Sequence, residues 1–244
     1  MSTQAWSRGS GPSILRGLFA RRPAPTGPAA VLWDMDGLLV DTEPLWTVAE
    51  QELFRRWGRP FTPAMKASIV GNRLDRAVPM MIEFGGPPAA GESVAEISAW
   101  LLSRMVELFD GHVVLMPGAA DLLDELAAAR VPQALVSSSY RVLVDAVLEQ
   151  LPGHPFAASV AGDEVARSKP DPEAYELAIA RLDAPAARSV VLEDSPAGAR
   201  AGTAAGARVV YCPSVPQSPP AEEGWRPVHT LADVSLAGLR SWLG

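Results

Sequence analysis

Ala30-Val31-Leu32-Trp33-Asp34-Met35-Asp36-Gly37-Leu38-Leu39-Val40-Asp41 is the stretch that decides the fold. Its first four residues are apolar and run straight into acid, which reads as a buried strand. Three similar runs follow: Gln133-Ala134-Leu135-Val136, Ser189-Val190-Val191-Leu192 and Ala207-Arg208-Val209-Val210-Tyr211. Ala157-Ala158-Ser159-Val160 is a weaker one. Continuous apolar runs suit a parallel sheet covered on both faces, where neither side of a strand meets water. Helical spacing fills the gaps between them. Ala119, Leu122, Leu123 and Leu126 share one face of 118–130. Leu143, Ala146 and Val147 do so in 141–151, and Tyr175, Ala178, Ile179 and Leu182 in 172–182. Strands alternating with helices predict an α/β fold with a doubly wound parallel sheet.

Residues 45–112 break the alternation. Trp46, Ala49, Leu53 and Trp57 recur at helical steps until Gly58 stops them. Thr42 or Asp41 can cap that helix, and Pro44 is tolerated in a first turn. Ser93 with Glu96 forms a capping box, after which Val94, Ile97, Leu101, Met105 and Leu108 make one face, ending at Gly111. Residues 74–84 are helical in pattern, but Pro79 leaves their start open. The expectation is a helical insert of three or four helices forming a separate small domain at 45–112. The core would then be 30–44 and 113–244, with 113–117 as the return linker. Residues 213–220 read as a Pro/Ser-rich loop before a final helix over Leu236–Leu243.

Composition narrows the function classes. The chain has 244 residues, 48% hydrophobic and 20% charged, a globular balance. The formal net charge of −7 argues against a nucleic-acid partner, which would call for a basic excess. The single cysteine, Cys212, excludes an internal disulfide and a Cys-rich zinc site, and points to a reducing, cytoplasmic setting. No apolar run approaches a membrane span, so no membrane partner is expected. Residues 1–29 hold Arg8, Arg16, Arg21 and Arg22 and no acid, and read as a basic disordered tail. A monomer is expected.

The chemistry-bearing residues fall where the strands end. Asp34 and Asp36 follow the first run, Ser137-Ser138-Ser139 the second, and Glu193-Asp194-Ser195 another. The weaker strand leads to Ser168-Lys169-Pro170-Asp171-Pro172, and Lys169 is one of only two lysines, with Lys66. In open parallel sheets the binding crevice lies beyond the carboxyl ends of the strands. Carboxylates crowded there repel one another and raise each other's pKa unless a cation joins them. Hard oxygen ligands with few imidazoles suit Mg²⁺ and a substrate phosphate. One carboxylate can attack while the other trades a proton, and a lysine can balance phosphoryl charge. Each motif alone is a common turn or helix start; four of them in order, each after a strand, are not.

Together they resemble the haloacid dehalogenase superfamily. Residues 34–41 match its first motif, Ser137 the second, Lys169 the third, and Val191-Leu192-Glu193-Asp194-Ser195 the fourth. The helical insert sits where the family's cap domain sits. Glu43-Pro44-Leu45-Trp46 resembles the β-phosphoglucomutase-like branch, nearest the hexitol-phosphate and 2-deoxyglucose-6-phosphate phosphatases. The resemblance implies a Mg²⁺-dependent phosphatase acting on a small phosphate ester through an aspartyl phosphate. Asp34 would be the nucleophile and Asp36 the general acid and base. Ser137 would bond the phosphoryl oxygens, and Lys169 would steady Asp34. Mg²⁺ would be held by the Asp34 carboxylate, the Asp36 carbonyl and Asp194, with Glu193 assisting through water. Asn72, Arg73 and Ser138 would touch substrate.

Two departures narrow the resemblance. Dehalogenase members lack an acid at the Asp36 position. The sugar-phosphate mutase, the alternative reading, carries a histidine in its first cap helix, a region that here, at residues 42–47, holds Trp46 and no histidine. Its own histidines, His112, His154 and His229, fall in expected loops. A signalling receiver and a non-catalytic phosphoacceptor or binding module are more distant alternatives.

Overall fold

The computed structural model describes residues 27–86, 91–214 and 224–243. In chain order the elements are β1 (Ala30–Trp33), α1 (Glu43–Arg56), α2 (Pro63–Ile69), α3 (Leu74–Gly85), α4 (Val94–Phe109), α5 (Ala119–Ala128), β2 (Gln133–Val136), α6 (Arg141–Glu149) and β3 (Phe156–Val160). Then come α7 (Glu173–Arg181), β4 (Ser189–Glu193), α8 (Pro196–Ala204), β5 (Arg208–Tyr211), β6 (Arg226–Pro227) and α9 (Leu236–Leu243). The strands form one parallel sheet in the order β3-β2-β1-β4-β5-β6. β1 is central: Val31 aligns with Gln133 on one side and Val190 on the other. The chain therefore winds outward from β1 in one direction and then the other, which opens a crevice at the β1 end.

Strand alternation sorts the core into two layers. Val31, Trp33, Leu135, Val190 and Leu192 pack with Leu122, Leu126, Leu143, Val147 and Leu239 from α5, α6 and α9. Leu32, Ala134, Val136, Val191 and Val209 pack with Tyr175, Ala178 and Ala199 from α7 and α8. Both faces are covered, so the central strands β1, β2 and β4 can be apolar over most of their length. Gln133, one of three buried polar strand residues with Ser189 and Glu193, is satisfied: it accepts from Trp33 Nε1 at 2.9 Å and donates to the Leu123 carbonyl at 3.2 Å.

α1–α4 lie between β1 and α5, with α1 and α3 packed on α4, and α4 on α6. The chain leaves and returns side by side. Asp41 N donates to Val114 O at 3.0 Å and Met116 N to Leu39 O at 2.9 Å.

The structure fills in what the sequence left open. α2 is a separate short helix, capped by Thr62, whose hydroxyl accepts from Met65 N. α3 begins at Leu74 and continues through Pro79. The carbonyl of Asp75, which Pro79 leaves without an N–H, lies on an exposed turn where water can take it. β6 carries no sequence expectation; at two residues it is too short for any periodic pattern. The basic tail lies outside the described residues except for its last three, and so does most of the Pro/Ser-rich loop.

Candidate active site

Asp34 directly follows β1, Ser137 follows β2, Glu193 ends β4, and Asp194 follows it. Lys169 arrives on the loop between β3 and α7. The parallel register brings these strand ends to the same edge of the sheet, so residues up to 160 positions apart in sequence meet there.

Lys169 is the hub. Its side chain is 6% exposed, and its ammonium lies 2.5 Å from Asp34 Oδ1 and 2.7 Å from Glu193 Oε1 and donates to the Val136 carbonyl at 3.1 Å. Burial opposes the charge on Lys169, but the two carboxylates outweigh it and hold its pKa well above the usual lysine range. Glu193 is buried, and both its oxygens are occupied. Oε1 accepts from Lys169 and from Tyr175 Oη at 2.8 Å, and Oε2 accepts from the Ser195 N–H at 3.1 Å and its hydroxyl at 3.0 Å.

Asp36 is held by three hydroxyls. Thr42 Oγ1 donates to Oδ1 at 2.7 Å, while Ser137 and Ser139 donate to Oδ2 at 3.0 and 2.8 Å. Thr42 does sit at the N-cap of α1, but its side chain makes no capping bond there. Ser137 is fully buried, and its oxygen also accepts from Ser139 N at 2.8 Å.

A cavity of about 680 Å³ opens over this edge. Asp34, Asp36, Lys169, Asp194, Ser138, Asn72 and Arg73 all line it. Ser137 and Glu193 do not; they lie behind the cavity wall, joined to Asp36 and Lys169 respectively. Arg73, at the start of α3, reaches across to the loop after β3, donating to the Gly162 carbonyl at 2.7 Å. Asn72 turns its amide back to the Ser68 and Ile69 carbonyls. Ser139, Thr42 and Tyr175 were not singled out from sequence. Ser139 lay inside the serine run, Thr42 looked like a helix cap, and Tyr175 looked like an ordinary core position.

The donor set suits a divalent cation. Oxygens of Asp34, Glu193 and Asp194 lie within 4.8 Å of one another. Burial, and then the charge of Glu193, push the Asp34 carboxyl well above the usual range and Asp194 up to about 7. Lys169 is the only cation within hydrogen-bonding reach of Asp34 and Glu193 among the described residues, so a second source of positive charge would relieve the repulsion. Gly37, with φ of +84°, leaves room beside this set, because a Cβ there would meet Asp194 Oδ2 at 2.5 Å.

Comparison with known proteins agrees with this geometry. The family model for haloacid dehalogenase-like hydrolases matches residues 28–206. The phosphorylated carbohydrates phosphatase of Thermotoga maritima is 30% identical over 183 residues, 75% of this chain and 83% of that protein. Hexitol phosphatase B of Escherichia coli is 29% identical over 212 residues, 86% of this chain and 92% of that protein. CbbY from Rhodobacter sphaeroides superposes with a TM-score of 0.77 at 30% identity, covering 87% of this chain and 99% of that one. It has been solved with phosphate and, as a mutant, with xylulose-(1,5)bisphosphate. With its Asp34, Lys169 and Asp194 gathered at the ends of a doubly wound sheet, this chain belongs to the haloacid dehalogenase-like hydrolases.

Proposed function

We propose that the protein is a Mg²⁺-dependent phosphomonoesterase that hydrolyses a small sugar or polyol phosphate through an aspartyl phosphate on Asp34. The supporting observation is the 2.5 Å pair of Lys169 and Asp34, set in a cavity that also presents Asp36. Asp34 attacks phosphorus, and the ester oxygen leaves with a proton from Asp36. A water then attacks the phosphorus, gives its proton to Asp36, and the bond to Asp34 breaks to release inorganic phosphate. Lys169 orients Asp34 and balances phosphoryl charge, while Ser138 and Ser139 offer hydrogen bonds at the cavity wall. Ser137 acts through Asp36, which it helps to hold. Mg²⁺, held by Asp34 and Asp194, with Glu193 close behind and the Asp36 carbonyl completing the set, would supply further charge neutralisation.

Residues 45–112 act as a cap over a core of 30–44 and 113–244. Closure around substrate excludes water from the first step. Asn72 and Arg73 are its contacts to substrate, with Arg73 exchanging its Gly162 carbonyl for the ligand. The enzyme works as a cytoplasmic monomer. Mutase chemistry is disfavoured because residues 42–47, with Trp46 lining the cavity, hold no histidine.

Phosphate release from a panel of sugar and polyol phosphates, with and without Mg²⁺, tests the reading. Asp34→Asn is expected to lower kcat by about 10³-fold or more, because the attacking oxygen is lost. Undiminished release by that variant would overturn the assignment.

A further inference from the structure

The cap side of the cavity carries two cations among the described residues, and both are already engaged. Lys66, from α2, lies 2.8 Å from Glu50 Oε2 and 2.9 Å from Glu43 Oε2, both from α1. All three side chains line the cavity. The pair with Glu50 is well shielded, with the Glu50 side chain 6% exposed and that of Lys66 17%. Arg73 gives its Nη1 to the Gly162 carbonyl, and its guanidinium lies over the Tyr140 ring, 5.3 Å from its centre.

One ammonium between two carboxylates leaves this patch with a net negative charge. A second phosphate arriving at this patch would draw on Lys66, the cation there, and taking Lys66 would strand the buried Glu50 carboxylate without its partner. Hydroxyl groups impose no such cost. They donate to carboxylate oxygens and accept from an ammonium while the ion pair stays intact. Trp46, from the same helix as Glu43 and Glu50, also lines the cavity and adds an apolar ring suited to the C–H surface of a carbon chain or ring.

We propose that the Glu50–Lys66 pair is a specificity-determining element that accepts a neutral, hydroxylated far end of the substrate and rejects a second phosphate. This rests on the phosphatase reading and sharpens it to monophosphates of polyhydroxylated carbon chains.

The test compares kcat/KM of the full chain, with Mg²⁺, for hexose 6-phosphates against the matching 1,6-bisphosphates. Wild type is expected to favour the monophosphates. Glu50→Gln removes one negative charge beside Lys66 and should shift the ratio toward bisphosphates by about tenfold. Lys66→Met should not disfavour bisphosphates, because a paired lysine was not holding them. A wild-type ratio in Glu50→Gln overturns the inference. So does a selective loss of bisphosphate turnover in Lys66→Met, which decides alone should Glu50→Gln fail to fold. If wild type releases phosphate from no ester, p-nitrophenyl phosphate included, the phosphatase reading itself falls.

Discussion

Lys169 shows how a single side chain is placed in part by residues, Glu193 and Tyr175, that do not line the cavity. Behind it, Glu193 is fixed by Tyr175 and Ser195, and the Tyr175 ring centre lies 4.8 Å from the Lys169 nitrogen. Tyr175 is fully buried, and its hydroxyl has a carboxylate partner, as a buried polar group requires. Tyr175→Phe removes that donor and leaves one Glu193 oxygen short of a bond. The expected cost is about 1–3 kcal/mol of stability, read from denaturant unfolding. A roughly tenfold fall in kcat at nearly constant KM should accompany it, since a loosened Lys169 affects the reacting atoms more than substrate capture. A purely structural role would lower stability and leave kcat in place.

At the scale of elements, the site depends on how closely α8 approaches the end of β4. Ser195 caps α8 by accepting from Gly198 N at 3.1 Å, while its own hydroxyl donates to Glu193. Gly198 packs so tightly on this junction that a Cβ there would fall onto the Glu193 carboxylate. Gly198→Ala must therefore push Glu193 away from Lys169 or push α8 off the sheet. Its expected effect is a loss of about 1–3 kcal/mol, with kcat falling alongside. A variant as stable and active as wild type would show that the junction has slack. Gly198 looks unremarkable in sequence, inside a run of small residues, because its reason lies in a neighbour from another element. The helices themselves were legible where apolar residues repeat, as in α4 and α5. α2 was not, since its seven residues are too few to display a period.

For the whole molecule, the edge of the sheet beside β3 is clasped by Glu164. This carboxylate accepts from Ala161 N at 2.7 Å, from Arg181 of α7 at 3.0 Å, and from Arg141 of α6. α6 and α7 cover opposite faces of the sheet, so one side chain ties the two layers together. Burial pulls the Glu164 pKa upward, but the Ala161 N–H and the guanidinium groups of Arg181 and Arg141 outweigh it and hold it at about 2. A folded value below the ordinary 4.5 means the stabilisation is complete above 4.5 and lost as pH falls toward 2. Urea midpoints measured across that window should drop more steeply for wild type than for Glu164→Gln. Equal slopes would remove Glu164 from the acid response.

The sequence by itself determined the layered α/β architecture, the position of the helical insert, and the acids, serines and lysine at the strand ends. Strand hydrophobicity and chain order are local properties, and they specify a parallel sheet before any contact is known. Only the tertiary structure decided which of those side chains face the cavity and which support them from behind. Ser137 and Glu193 turned out to stand behind Asp36 and Lys169, while Glu50 and Lys66 joined the cavity wall. Pairings of this kind depend on distances between elements far apart in the chain, and no periodicity records them.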